Sequence, residues 1–127
     1  MRTEQPEIVI AQSQHKGLKR LIAEAFRLRH RIAPFLSAEV RRAAICKDGA
    51  LPNDAVAPER EVSYRLDWGE ATPYRILVYP ENYTNADTQI SLLSPIGAAL
   101  LGLRAGSEIK VFLPETGFHK LFVVGVR

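Results

Sequence analysis

The spacing of apolar residues changes period once along this chain, and that change constrains the fold more than any single motif does. From Gly17 to Ile32 the residues Leu18, Leu21, Ile22, Ala25, Leu28 and Ile32 recur at steps of three and four, which places them on one face of an α-helix. Beyond residue 61 the step is two: Val62, Tyr64 and Leu66 alternate with Ser63 and Arg65, and Tyr74, Ile76 and Val78 alternate with Arg75 and Leu77. A chain that presents a helical stripe first and pleated faces afterwards reads as an α+β fold. The change falls in KDGALPNDAVAPE, residues 47–59, a stretch of turn formers that reads as a linker.

In the helical part, Pro34 is expected to stop the first helix and Ser37 to cap a second one. The second helix carries Leu36, Val40, Ala43 and Ala44 on its apolar face, Glu39 near its start, and Arg41, Arg42 and Lys47 toward its end, where the helix dipole favours cations. Asp48-Gly49 closes it. So short a connection folds the helices back on each other, so residues 17–47 read as a short antiparallel hairpin of coiled-coil type. Its longer arm spans about 22 Å at 1.5 Å per residue. The preceding EQPEIVIAQSQ is either a loose arm or an added strand. The chain thus divides into residues 1–48, arm and hairpin, and 49–127, a sheet domain.

Gln89–Leu93, Glu108–Leu113 and Phe118–Val126 supply three further strands, making an antiparallel sheet of five. Between them stands SPIGAALLG, a short helix with its punctuation in place. Ser94 suits the cap, Pro95 the first helical position, and Gly102 the left-handed residue at the end. This helix should lie across the apolar face of the sheet, with Leu100, Leu101 and Leu103 in the core. Alternation also directs Tyr64, Tyr74, Tyr79, Phe112, Phe118 and Phe122 inward, away from any basic platform. Trp68 should cover the sheet edge, and Asp67 and Glu70 should solvate their turn.

Several chemistries find no support. No apolar run approaches the ~20 residues of a membrane helix, so no membrane partner is expected. The acids and short apolar core of the N-terminus do not suit a secretory signal, and a single cysteine, Cys46, makes no internal disulfide, so a cytoplasmic protein is expected. His15, His30 and His119 fall on separate elements without metal-ligand spacing, and no glycine-rich loop opens a helix. No metal, cofactor or catalytic residue is therefore expected, and the chain reads as a non-enzyme. Charge is uneven: residues 1–48 carry a net +5 and residues 49–127 a net −2. Arg27, Arg29 and Arg31, with His30, form a basic run at the hairpin tip. It suits the end of a helix dipole, and equally a surface presented to phosphate or carboxylate groups.

The stretch TQISLLSPIGAALLGLRAGSEIKVFLPETG resembles the C-terminal domain of the bacterial transcript-cleavage factors GreA and GreB. With LPNDAV and ILVYPENYTNADTQIS, the resemblance is closer still to the Rnk family, regulators of nucleoside diphosphate kinase, and covers roughly residues 15–125. It implies an FKBP-like domain behind the hairpin, with RNA polymerase as partner near its secondary channel. By this resemblance Ser94, Pro95 and Ile96 belong to the docking edge, and the protein acts as a monomer that competes with Gre factors. In the Gre family a long hairpin with an acidic tip helps hold a catalytic magnesium. Here the arms are short and the tip is basic, with Glu39 alone nearby, and an arginine-rich tip repels Mg²⁺. Stimulation of transcript cleavage is therefore not expected. Two other readings stand beside this one: direct nucleic-acid binding through Arg27, Arg29, Arg31, Arg41 and Arg42, and an FKBP-type peptidyl-prolyl isomerase.

Overall fold

The computed structural model describes residues 5–127. Strand β1 (Val9–Ala11) runs directly into helix α1 (Gln12–Arg27), a turn leads to α2 (Ala33–Arg42), and β2 (Ala44–Cys46) returns beside β1. The two strands pair in parallel, Val9 opposite Ala44 and Ala11 opposite Cys46. The segment before the hairpin is thus an added strand over Val9–Ala11.

Both helices differ in extent from the sequence reading, for local reasons. Helix α1 begins at Gln12 because Asp48, 35 residues away, accepts the Ser13 N–H at 2.9 Å and so satisfies an amide of its first turn. That backbone donor holds the Asp48 carboxyl below its ordinary range. The helix ends at Arg27, not Ile32, because Arg29 takes a left-handed backbone with φ of 56°. The His30 N–H then donates to the Ala25 carbonyl at 2.8 Å and the Arg29 N–H to Phe26 at 3.0 Å, a Schellman end with arginine where glycine is usual. Pro34 sits in the first turn of α2, where its missing N–H costs nothing, so it starts the second helix as well as lying beyond the first. Ser37 lies inside α2 and accepts from the Arg41 guanidinium at 3.2 Å.

Glu39, expected near the start of the second helix, falls in its last turn and faces inward. It is 1% exposed, with Oε2 2.7 Å from Nη2 and Oε1 3.1 Å from Nε of Arg42, and Arg42 also donates to the Pro6 carbonyl. This two-pronged pair fastens the end of α2 to the chain leading into β1.

The second half contains β3 (Glu61–Leu66), β4 (Arg75–Val78), β5 (Gln89–Ser91), α3 (Pro95–Leu100), β6 (Glu108–Leu113) and β7 (Gly117–Val126). The sheet runs β5-β4-β3-β7-β6. It is antiparallel except that β4 and β5 are parallel, because residues 79–88 cross over instead of turning back as a hairpin. The fold is α+β, a helical hairpin with a largely antiparallel sheet and one short helix, as the period change predicts. The expected linker is partly core: Ala55, Val56 and Ala57 are buried, and the Val56 N–H donates to the Leu103 carbonyl at 2.8 Å.

Helix α3 lies on the inner face. Its Ala98, Ala99 and Leu100, with Leu101 and Leu103 after it, are buried with Val62, Leu77, Ile109 and Leu121. The same cluster continues through Ile8, Ile10, Leu18, Ile22, Leu36 and Val40 into the hairpin. Gly102 stands where the two parts meet. Its φ is +80°, its carbonyl accepts the Val9 N–H at 3.1 Å, and a Cβ there would lie 2.8 Å from that of Ile8.

Candidate functional site

Ser94 caps α3 as expected. Its Oγ accepts the Gly97 N–H at 3.0 Å and donates to the Ser91 carbonyl at 2.7 Å, a contribution of about 1 kcal/mol for a cap of this kind. The same turn opens outward. Ser94 and Ile96 line a cleft of about 280 Å³ with Tyr64, Arg75, Tyr83, Gln89, Ile90 and Ser91. Pro95 lies between them in the chain, at the start of α3. One wall is the loop before β5, held by the Gln89 side-chain oxygen, which accepts from the N–H groups of Thr84 at 2.7 Å and Asn85 at 3.0 Å. The cleft therefore combines apolar surface from Tyr64, Ile90 and Ile96 with a serine pair and one guanidinium. Tyr83 is an exposed aromatic on its rim.

The hairpin tip is a separate place, formed by α1, α2 and their turn. Arg27 is paired with Glu24, which raises the affinity of the guanidinium for its proton and lowers that of the carboxyl, chiefly through their hydrogen bond. Arg42 is committed to Glu39 and Arg41 to Ser37. His30 serves the turn itself, its Nδ1 accepting the Ile32 N–H at 3.2 Å. Arg29 and Arg31 are exposed and form no ion pair among the described residues. Of the basic run, these two face solvent uncommitted. Holding Arg29 at positive φ costs on the order of 1 kcal/mol that glycine would avoid.

The structure corrects three further expectations. Trp68 does not cover the sheet edge; it is 95% exposed in its turn. Phe112, Phe118 and Phe122 are not core residues: the parity of β6 and β7 turns Ile109, Val111, Leu121 and Val123 inward and places the three rings on the outer face, Phe112 and Phe118 being 52% and 65% exposed and Phe122 half-buried. On that outer face cations rest on rings: Lys110 lies 4.6 Å from the Phe118 ring centre and Arg65 4.0 Å from that of Phe122, with Glu108 paired opposite Phe122.

Asp67 also does more than solvate its turn. Its Oδ2 is 2.6 Å from Nδ1 of His119, whose Nε2 is 2.6 Å from the Thr116 hydroxyl, and its Oδ1 accepts the Lys120 N–H at 2.9 Å. No sequence spacing joins residues 52 apart. These contacts hold the Asp67 carboxyl below its ordinary range, the Lys120 amide first and the His119 side chain next. A lowered folded pKa stabilises above the unfolded value, about 3.9, and the effect is lost as pH falls through the folded one. Comparing thermal midpoints, wild type should exceed Asp67→Asn near neutrality, and the gap should shrink as pH drops below 4. A gap that stays constant from pH 7 to 3 would refute the linkage. Among the described residues no three His, Cys, Asp or Glu side chains gather as a metal-binding group.

Residues 51–127, which include the cleft, match the model of the family described as transcription elongation factor GreA/GreB, C-terminal. The chain is 45% identical over 84 residues to the regulator of nucleoside diphosphate kinase of Escherichia coli strain K12, covering 65% of this chain and 61% of that protein's length. Its fold superposes on the prokaryotic transcription elongation factor GreA/GreB from Nitrosomonas europaea with a TM-score of 0.75 and 30% identity, over 96% of this chain and 98% of that one. Gfh1 of Thermus aquaticus shares the fold at 20% identity and a TM-score of 0.50, over 95% and 98% of the two chains. A sheet domain matched over most of its length and a hairpin superposed with it place this chain in the GreA/GreB C-terminal family.

Proposed function

We propose that the chain is a non-enzymatic transcription regulator of the Rnk kind, which binds RNA polymerase near the secondary channel and competes there with Gre factors. The observation that carries the reading is the cleft of about 280 Å³ at Ser94 and Ile96, which lies within the family-matched segment. A partly apolar cleft with an exposed tyrosine on its rim and a few convergent polar groups is the kind of pocket that receives an anchoring side chain of a protein partner. Ser94, Pro95 and Ile96 are its contact edge, and Arg29 and Arg31 offer a second, basic contact at the hairpin tip. Among the described residues both acids of the hairpin helices are committed: Glu24 faces Arg27 and Glu39 is buried against Arg42. Stimulation of transcript cleavage is accordingly outside the proposed role.

The test is capture of bacterial RNA polymerase by the immobilised full chain, repeated with excess GreA. GreA should displace the bound polymerase. Pro95→Asp, which keeps a residue tolerated in a first helical turn, and Tyr83→Ala, on the exposed rim, should each weaken capture about tenfold while the thermal midpoint holds. Arg29→Gly should weaken capture less, and relieves the left-handed backbone at the same time. No capture at moderate salt, or full capture by both cleft variants, would overturn the assignment.

A further inference from the structure

The polymerase reading leaves the outer face of the sheet unused. Strand pairing arranges it in rows. Phe112 stands opposite Phe118, Lys110 opposite Lys120, and Glu108 opposite Phe122, with Arg65 on the other side of Phe122. Successive rows lie about 7 Å apart, two residues of strand rise. Phe112 and Phe118 meet edge to face with ring centres 5.1 Å apart. Rings and cations therefore interleave along the face, with Glu108 in the last row and Glu7 and Asp67 at its margin beside Lys110, Phe118 and Lys120, and among the described residues no helix covers it.

We propose that this face binds single-stranded nucleic acid. Unstacked bases have flat apolar faces and a charge at every link, so they need rings and cations interleaved, as these rows provide. The cations now resting on Phe118 and Phe122 do not block the site. An exposed contact between a cation and a ring is weaker than stacking of a base on it, so a base displaces the cation, which turns to a phosphate. Two other occupants fit less well. A second copy docked face to face around a two-fold axis would set the Lys110 and Lys120 row against its like. An acidic peptide would use the cations and leave the rings uncovered. The proposal does not depend on polymerase, and its test contains none.

The test is fluorescence anisotropy of labelled twelve-nucleotide single strands, RNA and DNA, titrated with the full chain across a range of salt. If the three cations Arg65, Lys110 and Lys120 each meet a phosphate, the slope of log K against log salt is about −2. Phe118→Ala should weaken binding about tenfold with that slope unchanged. Lys120→Ala should make the slope shallower by about 0.7. Both side chains are exposed, so the variants retain the fold. Four binding results would overturn the proposal: no binding at low salt, equal affinity for duplex, equal affinity for polyglutamate, or binding lost on Arg29→Gly but indifferent to Phe118→Ala. The last would move the contact to the hairpin tip, and association detected by light scattering without nucleic acid would assign the face to a second copy.

Discussion

Gly97→Ala should destabilise the fold by about 3 kcal/mol, near the upper end for an overpacked site. Helix propensity alone points the other way, since alanine is favoured over glycine in a helix by about 1 kcal/mol. Packing decides the sign. A Cβ at Gly97 would fall inside the van der Waals boundary of the Ser91 carbonyl oxygen and 2.8 Å from the carbonyl carbon, both backbone atoms of β5. Helix α3 cannot retreat, because Ala98, Ala99 and Leu100 are already pressed into the core. Retreat would also pull the Gly97 N–H from Ser94 and open the cleft. Thermal unfolding followed by circular dichroism should show a midpoint lower by roughly 10 °C. Gly49→Ala is the matched control, since a Cβ there meets nothing within 4 Å, and it should shift the midpoint little. A Gly97→Ala variant as stable as wild type would mean that α3 and β5 approach less closely than described.

Arg42→Met should cost about 3 kcal/mol, because it strands a buried carboxylate. Glu39 is 1% exposed and draws both of its close charged contacts from Arg42. The informative comparison is the double variant Glu39→Leu with Arg42→Met. Replacing both partners by apolar groups of similar volume removes the unpaired charge, and such exchanges are often neutral or better. The double variant should recover most of the loss in urea unfolding. If it is as unstable as Arg42→Met alone, the bond from Arg42 to the Pro6 carbonyl, and not the ion pair, is what fastens α2 to the chain before β1.

The hairpin, the five-strand sheet, the cap at Ser94 and the burial of Leu100, Leu101 and Leu103 were legible because each rests on local period or local chemistry. What was not legible depends on distant partners. Asp48 satisfies the Ser13 amide from 35 residues away, so the start of α1 lies outside any local window. Pro34 and Ser37 both suit a helix start, and only packing selects Pro34. Alternation along β6 and β7 tells which residues share a face but not which face is covered. It groups Phe112, Phe118 and Phe122 correctly on one face, yet that face is the outer one, and the smaller Ile109, Val111, Leu121 and Val123 occupy the covered side. Asp67 and His119 meet through the pairing of β3 with β7. For the cleft, sequence marked Ser94, Pro95 and Ile96 by family likeness, but Tyr64, Arg75 and Tyr83 come from other strands and loops. Only the fold assembles them.

The parallel pairing of β1 with β2 has a mechanical meaning. The chain enters and leaves the helical hairpin through one two-stranded clamp, and the first strand of that clamp is bonded to Gly102, just beyond α3. The hairpin is thus a cantilever set into the wall that carries the cleft, with its root in the common core. A partner that grips Ser94 and Ile96 while touching Arg29 meets a strut of fixed reach. Load applied at the tip is delivered to the back of the segment that carries Ser94 and Ile96.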